Sequence, residues 1–301
     1  MIFRREPLAD VVAYLRAQLE REPRVSIRVL DPDRGRGHYA GELVDDHVHR
    51  SLRTWIDLAD RLDLRLLVPR AAAPPLVELV FERLDEAARW DGGVDKYAAH
   101  AAYQRIDKRE DPGFVLDLSD ALERVAVGDA PHVLALGCNT GDEITLVRAS
   151  LPGATIVGID RDASALAVAR TRFPDATFLE AELGAPLAVG RFDLVLSIGT
   201  LQSTGLDDRD LLRRIVQDHL TSRGGVIIGV PNCRYLDGEQ RYGARMKNYT
   251  QPELGLLVKD VAFYRKYLQQ HHRKVWITGK HYILVTGGAV GHGADQGAHA
   301  S

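Results

Sequence analysis

The sequence predicts an α/β fold in which a mostly parallel sheet follows a small α+β domain. Between about residues 130 and 230, continuous apolar runs alternate with segments in which apolar residues recur at helical spacing. Such alternation is typical of a parallel sheet covered by helices on both faces. The first 90 residues instead combine helical segments with a run that alternates in polarity, which is typical of a strand with one buried face.

Residues 1–92 are predicted to form the small α+β domain. Apolar residues recur at helical spacing in Pro7–Glu20 and in Val48–Leu62, whereas Val25–Leu30 alternates between polar and apolar residues. Two short strands are predicted after the second helix, at Arg65–Val68 and Leu76–Phe81. The glycines of Asp91–Gly93 predict a linker. We expect this domain either to orient a substrate or to mediate a homo-oligomer.

Residues 96–287 are predicted to form the larger domain, which begins with a lead-in helix at Phe114–Val125. Its strands are predicted at His132–Leu136, Thr155–Ile159, Thr177–Leu179, Phe192–Ser197, Gly225–Val230, Lys274–Thr278 and Tyr282–Thr286. Its further helices are predicted at Glu143–Ser150, Ala163–Arg172, Asp207–His219 and about 252–271. Residues 288–301 are rich in Gly, Ala and His, which predicts a disordered tail.

The composition is that of a soluble globular protein. Hydrophobic residues make up 45% of the chain and charged residues 27%, and the net charge of -3 argues against a wholly basic nucleic-acid binder. The two cysteines, Cys138 and Cys233, exclude a disulfide framework and a zinc cluster, so no metal is expected. We find neither a signal peptide nor a membrane-spanning run, and therefore expect a cytoplasmic protein without a membrane partner.

The most informative stretch of the chain joins two predicted strands. The first strand ends in the turn Gly137-Cys-Asn-Thr-Gly141, and the second ends in Asp160, about 20 residues further on. Glycines let the backbone approach a ligand closely, and a carboxylate can accept hydrogen bonds from both hydroxyls of a ribose. This layout predicts a nucleotide-binding βαβ unit.

Residues from about 130 to 286 resemble the class I S-adenosylmethionine-dependent methyltransferases, whose Rossmann-like sheet has an antiparallel last strand. The resemblance rests on an ordered set of motifs: Leu134–Gly141 (the glycine-rich first motif), Ile159–Asp160 (the acidic end of the second strand), Phe178–Glu182 (beside the adenine), Phe192–Gly199 (the fourth strand) and Gly224–Pro231 (the fifth). It implies S-adenosylmethionine as cofactor and methyl transfer to an N, O or C nucleophile of a small molecule, RNA or protein.

The resemblance also implies which residues bind the cofactor: Gly137, Cys138, Asn139, Gly141, Asp160, Arg161, Glu182, Leu183 and Ser197. Asp160 would accept the ribose hydroxyls and Glu182 the adenine amino group. Because the cofactor brings the reactivity, the protein mainly has to hold donor and acceptor together. No acid–base dyad is therefore required, and we assign no catalytic residue.

The chain departs from the family pattern at two positions. Ala135 stands where the family usually has a carboxylate, and Asn139 replaces the middle glycine of the turn. The missing carboxylate leaves the anchor of the methionine amino group unassigned. Candidates to replace it are Asp142, Glu143, Tyr97 and Arg105.

The segment from Asn232 to His281 is predicted to face the methyl acceptor, since ligands of open α/β sheets lie beyond the carboxyl ends of the strands. It contains ten basic and four acidic residues, an excess of six positive charges, with tyrosines interleaved. This composition makes RNA a candidate partner, whereas the alternative is a core stripe with solvated lysines. The substrate-side candidates are Tyr97, Arg105, Asn232, Arg234, Tyr235, Tyr242 and Lys247.

Two other functions are compatible with the sequence. One is a non-enzymatic RNA-binding or scaffold protein with a vestigial cofactor pocket. The other is an NAD-dependent oxidoreductase, although its fingerprint would place a third glycine where this chain has Asp142-Glu-Ile144. Cys233 follows the fifth strand, near the nucleophile position of some RNA cytosine-C5 methyltransferases, but the Pro-Cys pair of those enzymes is missing from the fourth strand.

Overall fold

A computed structural model describes residues 1–85, 101–203, 205–242 and 256–290 of the chain. The protein divides into two compact units, the first formed by residues 1–90 with 235–241 and the second by residues 91–234 with 242–301. Residues 235–241, which are predicted to be part of the larger domain, belong to the first compact unit. The predicted linker Asp91–Gly93 lies outside the described residues.

The first unit packs two helices on a small antiparallel sheet. Its helices are α1 (Leu8–Leu19) and α2 (Leu52–Leu62), and its strands are β1 (Arg24–Leu30), β2 (Leu43–Val44), β3 (His47–Val48), β4 (Leu64–Leu66), β5 (Arg70–Ala71) and β6 (Leu76–Arg83). The sheet has the order β1-β6-β4, with β5 also paired to β6. The Ser51 side chain caps α2, and Trp55 and Phe81 are fully buried in the core.

The hairpin of strands β12 (Cys233–Leu236) and β13 (Glu239–Tyr242) supplies the second piece of this unit. Arg65 donates hydrogen bonds to the carboxylate of Glu239 and to the backbone carbonyl of Asp237. Arg241 is 3% exposed and pairs with the Asp60 carboxylate. Arg241 is one of the ten basic residues of the segment predicted to face the methyl acceptor, but its burial in this pair removes it from that role.

The second unit is built on a seven-stranded sheet of order β14-β15-β11-β10-β7-β8-β9. Its strands are β7 (His132–Leu136), β8 (Thr155–Asp160), β9 (Thr177–Glu180), β10 (Phe192–Ile198), β11 (Leu220–Pro231), β14 (Arg273–Thr278) and β15 (Tyr282–Ala289). Strands β7 to β11 are mutually parallel, whereas β15 runs antiparallel to both β11 and β14. The predicted α/β sheet with an antiparallel last strand is confirmed.

Helices cover both faces of this sheet. They are α3 (Pro112–Val125), α4 (Asp142–Ser150), α5 (Ala163–Arg172), α6 (Asp208–Arg214) and α7 (Leu256–Gln270). Residues of α3, α4 and α5 pack into the core on one face, and residues of α6 and α7 into the core on the other. Strand residues alternate between the two cores, so that Leu194 and Leu196 face the first and Val195 the second.

Several element bounds differ from the sequence-based ones. The predicted helix Asp207–His219 changes from α-helical to π-helical hydrogen bonding at Ile215. Strand β15 continues to Ala289, because Gly287 and Gly288 pair with their neighbours, so the chain leaves the sheet later than predicted. The rest of the predicted tail, residues 291–301, lies outside the described residues. Within the described ranges, no helix is both long and apolar enough to cross a membrane.

Candidate functional site

The second unit has a pocket at the carboxyl ends of β7, β8 and β10, where the order of the parallel strands reverses. Ligands of open α/β sheets bind at this kind of position. The lining residues are Gln104, Ile106, Lys108, Gly137, Cys138, Asn139, Thr140, Asp142, Glu143, Asp160, Arg161, Ala181, Glu182, Leu183, Gly184, Ile198, Gly199, Thr200, Ser203, Gly205, Leu206 and Tyr282.

The glycine turn after β7 is fixed by close packing. Gly137 has a φ of +64°, and a Cβ atom at this position would overlap the Thr200 side chain. Gly141 has a φ of +86°, and its Cβ would lie 2.7 Å from the Phe173 ring. Both positions therefore require glycine, for backbone conformation and for space. Thr200 itself donates a hydrogen bond to the Leu136 carbonyl, which ties the end of β10 to β7.

Asp160, at the end of β8, lines the pocket and is 9% exposed. One carboxylate oxygen accepts the backbone N–H of Asn139 at 2.8 Å, and the other accepts the backbone N–H of Asp162 at 3.0 Å. These bonds fix the orientation of the carboxylate. Since each oxygen has two lone pairs, both can still accept one hydroxyl donor.

Asn139 explains how the turn tolerates the loss of its middle glycine. Its φ of 46° lies in the left-handed region, which asparagine adopts more readily than most residues. Its side-chain oxygen accepts hydrogen bonds from the Thr140 N–H and from the Gln104 side-chain amide, each at 2.8 Å. The asparagine therefore holds the turn and ties it to the segment that precedes α3.

Two ion pairs lie at the start of α4, where Asp142 and Glu143 line the pocket. Arg172 donates to the Asp142 carboxylate at 2.8 Å and to the Thr140 carbonyl at 2.7 Å. Glu143 forms an ion pair with Lys108, and both side chains are largely buried. The pocket thus has opposite charges side by side on one wall.

The opposite wall is the loop after β9. Glu182 is exposed there, whereas Leu183 is buried. Arg214 of α6 donates to the carbonyls of Leu183 and Ala185, each at 2.6 Å. This wall is therefore held by a side chain of α6, the helix whose Leu211 and Leu212 share a core with Leu183.

Seven of the nine predicted cofactor residues line the pocket, the exceptions being Gly141 and Ser197. Gly141 begins α4 and packs against Phe173, outside the lining. Ser197 is fully buried in β10, while the pocket is lined by the following Ile198, Gly199 and Thr200. Because side chains alternate along a strand, Ser197 and Ile198 point to opposite faces.

Cys138 is held as a neutral, buried thiol. Its Sγ atom packs closely against Gly158, and the side chain is 4% exposed. Burial, with a smaller contribution from the Asp160 carboxylate, raises the pKa of this thiol far above its usual range. Cys138 is therefore part of the packing of the turn, and a role as nucleophile is excluded.

Comparison with known proteins agrees with this geometry. Residues 134–227, which include the glycine turn, Asp160 and Glu182, match a family model described as a methyltransferase domain. The chain therefore carries a methyltransferase domain that includes these residues. This domain type uses S-adenosylmethionine as its cofactor.

Two curated relatives share part of the chain. The trans-aconitate 2-methyltransferase of Paracidovorax citrulli (strain AAC00-1) is 37% identical over 108 residues, which are 35% of this chain and 40% of the relative. The protein of the same name from Klebsiella pneumoniae (strain 342) is 31% identical over 114 residues, 38% of this chain and 44% of the relative. The match therefore spans less than half the length of each relative. A solved SAM-dependent methyltransferase from Aquifex aeolicus is 15% identical, with a TM-score of 0.45 over 61% of this chain and 96% of that chain.

None of the predicted substrate-side residues that the structure describes lines the pocket. Tyr97, Lys247 and the side chain of Tyr242 lie outside the described residues. Arg105 is exposed and, like the half-buried Arg234 and Tyr235 of β12, is not among the pocket-lining residues.

Asn232 is a buried residue at the end of the fifth parallel strand. Its side-chain amide donates to the Lys280 carbonyl at 2.9 Å, and its backbone N–H donates to the His281 carbonyl at 2.7 Å. These bonds join β11 to the turn before Tyr282, which lines the pocket. In this structure Asn232 therefore positions the turn beside the pocket.

Sequence reasoning did not assign several residues of the methyltransferase pocket. Gln104, Ile106 and Lys108 come from the segment before α3, and Tyr282 comes from the last strand. The signal that was available is Asp111-Pro112, an N-cap followed by proline, which marks the start of α3 and leaves the preceding residues as a loop. Nothing in the spacing of the sequence indicates which of these loop side chains reach the pocket.

Proposed function

We propose that this protein transfers a methyl group from S-adenosylmethionine to an N, O or C nucleophile of an acceptor. The observation that supports this most strongly is the Asp160 carboxylate, held in place by two backbone N–H groups on the floor of the pocket. Two hydroxyls of a ribose are the donors that such a carboxylate fits. The backbone of Gly137 passes beside it, with no side chain to keep a nucleoside away.

Further residues of the pocket fit the rest of the cofactor. The exposed carboxylate of Glu182 can accept the amino group of an adenine, and the buried Leu183 offers an apolar surface beside it. The adenine would then lie along the loop after β9. The methionine end would reach the charged wall at the start of α4.

The chemistry that the cofactor supplies is an activated methyl group on a sulfonium. In the transfer, the nucleophile forms the new bond to the methyl carbon, the carbon–sulfur bond breaks and its electron pair stays on sulfur. The residues of the pocket hold the donor in one orientation, which can lower the barrier by several kcal/mol. The proton of an N–H or O–H acceptor leaves with solvent, since we assign no base.

Binding of S-adenosylhomocysteine to two matched variants tests the cofactor assignment. Asp160→Asn should weaken binding about 10- to 100-fold, because a charge-assisted hydrogen bond contributes about 1.5–3 kcal/mol. Asp162→Asn is the control, since Asp162 caps α5 outside the pocket lining and asparagine caps helices equally well. Calorimetry that gives equal affinities for the two variants would show that Asp160 does not bind the ribose.

The acceptor is to be identified by transfer of label. The match to the trans-aconitate 2-methyltransferases makes trans-aconitate one acceptor to test. Because this match covers less than half of each relative, other small molecules, RNA and protein are tested beside it. Incubation with radiolabelled cofactor and fractionated cell extract shows which class receives the methyl group. If no fraction takes up label while bulk tRNA binds with a steep salt dependence, a non-enzymatic RNA-binding role is favoured.

A further inference from the structure

We propose that Lys108 and Glu143 bind the amino acid end of S-adenosylmethionine, an inference that rests on the proposed function. This end of the molecule is a zwitterion, with an ammonium and a carboxylate on one carbon atom. Lys108 and Glu143 form an ion pair on the pocket wall, which offers the complementary charges side by side. The ligand's ammonium then contacts Glu143, and its carboxylate contacts Lys108.

The burial of the pair makes it suited to this role. The Lys108 side chain is 15% exposed and that of Glu143 is 9% exposed, so that both charges are largely removed from water. Attraction between charges is stronger in such surroundings than at an exposed surface. A bound zwitterion inserted between the two side chains gives four charges of alternating sign, and none of them is left unpaired.

Of the other carboxylates that line the pocket, Glu182 is exposed in the loop after β9, and the remaining two have partners of their own. Asp142 is paired with Arg172, which also holds the Thr140 carbonyl, and Asp160 is fixed by backbone N–H groups below the predicted ribose. Ala135, near the end of β7, brings no charge. Of the two described carboxylates at the start of α4, Glu143 is therefore the one that pairs with a pocket-lining cation, Lys108 of the segment before α3.

Lys108 is held at the pocket by aromatic packing. Its Nζ atom lies 5.9 Å from the centre of the Phe114 ring, within the range of a cation–π interaction. Phe114 in turn packs on Tyr282 with 4.9 Å between ring centres, and Tyr282 lines the pocket. The ammonium group thus stays at the pocket wall when its partner changes from Glu143 to a ligand carboxylate.

Two ligands that differ only in the amino acid end test the proposal. S-adenosylhomocysteine carries the zwitterion, whereas 5′-methylthioadenosine has the same nucleoside and sulfur without it. In Lys108→Met and in Glu143→Gln, we expect the affinity for S-adenosylhomocysteine to fall at least about tenfold, as for the loss of one charge-assisted contact. The affinity for methylthioadenosine should stay within about twofold of the wild type. Lys274→Met is the matched control, because Lys274 is exposed and outside the pocket lining.

A double variant guards against misfolding. Removal of one member of a buried pair leaves the other charge unpaired, whereas apolar replacement of both is often neutral for stability. Lys108→Met/Glu143→Leu should therefore unfold near the wild-type temperature, bind methylthioadenosine and lose the preference for S-adenosylhomocysteine. Equal loss of both ligands, or unchanged binding of S-adenosylhomocysteine, would overturn the inference and leave the proposed function in place. A wild-type protein that binds neither ligand would instead overturn the proposed function.

Discussion

Arg214 offers the sharpest test of how helix α6 supports the pocket. It is 8% exposed, and its guanidinium donates to the carbonyls of Leu183 and Ala185 at 2.6 Å each. Leu183 and Gly184 form part of the pocket wall. Arg214→Met keeps most of the aliphatic stem of the side chain but removes both hydrogen bonds to the loop. It also removes the hydrogen bond from Nε to the Asp210 carboxylate, at 2.9 Å.

The expected loss follows from these two bonds. A hydrogen bond with a charged group contributes about 1.5–3 kcal/mol, so the free energy of unfolding should fall by about 3 kcal/mol or more. The loop also gains freedom that ligand binding has to remove again. Fixing the backbone of one residue such as Gly184 costs about 1–2 kcal/mol, which corresponds to a roughly 5- to 30-fold weaker affinity for S-adenosylhomocysteine.

Urea denaturation and calorimetry measure the two effects, with Arg213→Met as the control. Arg213 pairs with the same Asp210 carboxylate but is about half exposed, so its removal should change neither quantity appreciably. If the two variants unfolded at the same urea concentration, the clamp would contribute nothing to stability. If Arg214→Met were less stable but bound the ligand as tightly as the wild type, the wall would not depend on Arg214 for its position.

Three further predictions concern the turn, the thiol and the half-buried carboxylate of Asp260. Gly141→Ala should lower the free energy of unfolding by about 1–2 kcal/mol for the left-handed backbone alone, and further because the new Cβ would overlap Phe173. Gly190→Ala is the control, since a Cβ there meets open space and should leave the free energy of unfolding unchanged. Equal urea midpoints for the two variants would contradict this prediction. Cys138 should resist alkylation in the native protein and react after denaturation, as peptide mass spectrometry can show, and rapid native labelling would mean that the turn opens. Burial raises the pKa of Asp260, because its charged form is partly removed from water, so Asp260→Asn should raise the melting temperature at neutral pH. The gain in melting temperature should shrink as the pH is lowered towards the ordinary pKa of Asp, about 4, where the wild-type carboxyl group also becomes neutral. A gain that does not depend on pH would contradict the reasoning.

The sheet of the methyltransferase domain was predictable because its central strands are buried on both faces. Such strands appear as continuous apolar runs, as in His132–Leu136 and Phe192–Ile198, and turn residues separate them from the helices. Asp160 was predictable for a related reason, since it ends a strand at a fixed distance from a glycine turn. The order of apolar and turn residues along the chain therefore predicts the sheet and those pocket residues that lie at the ends of its strands.

What could not be predicted depends on contacts between distant residues. Hairpin β12–β13 has short, polar strands, and it is held by partners such as Arg65, which is 172 residues from Asp237 in the chain. The Lys108–Glu143 pair joins residues 35 positions apart, one of them in a short 3-10 helix before α3. Ser197 shows a different limit, because a shift of one residue along β10 decides which face a side chain occupies.

Residues 235–241 belong to the first unit although the residues on both sides of them belong to the second, and this limits how the chain can be cut into separate domains. The polypeptide passes from one unit to the other at residues 90–91, 234–235 and 241–242, which makes three covalent crossings. Deleting everything before residue 91 would strip Arg241 of its carboxylate partner Asp60 and leave a fragment of the missing unit behind. A protease cut between residues 86 and 100 should likewise give two pieces that migrate together on gel filtration until denaturant separates them.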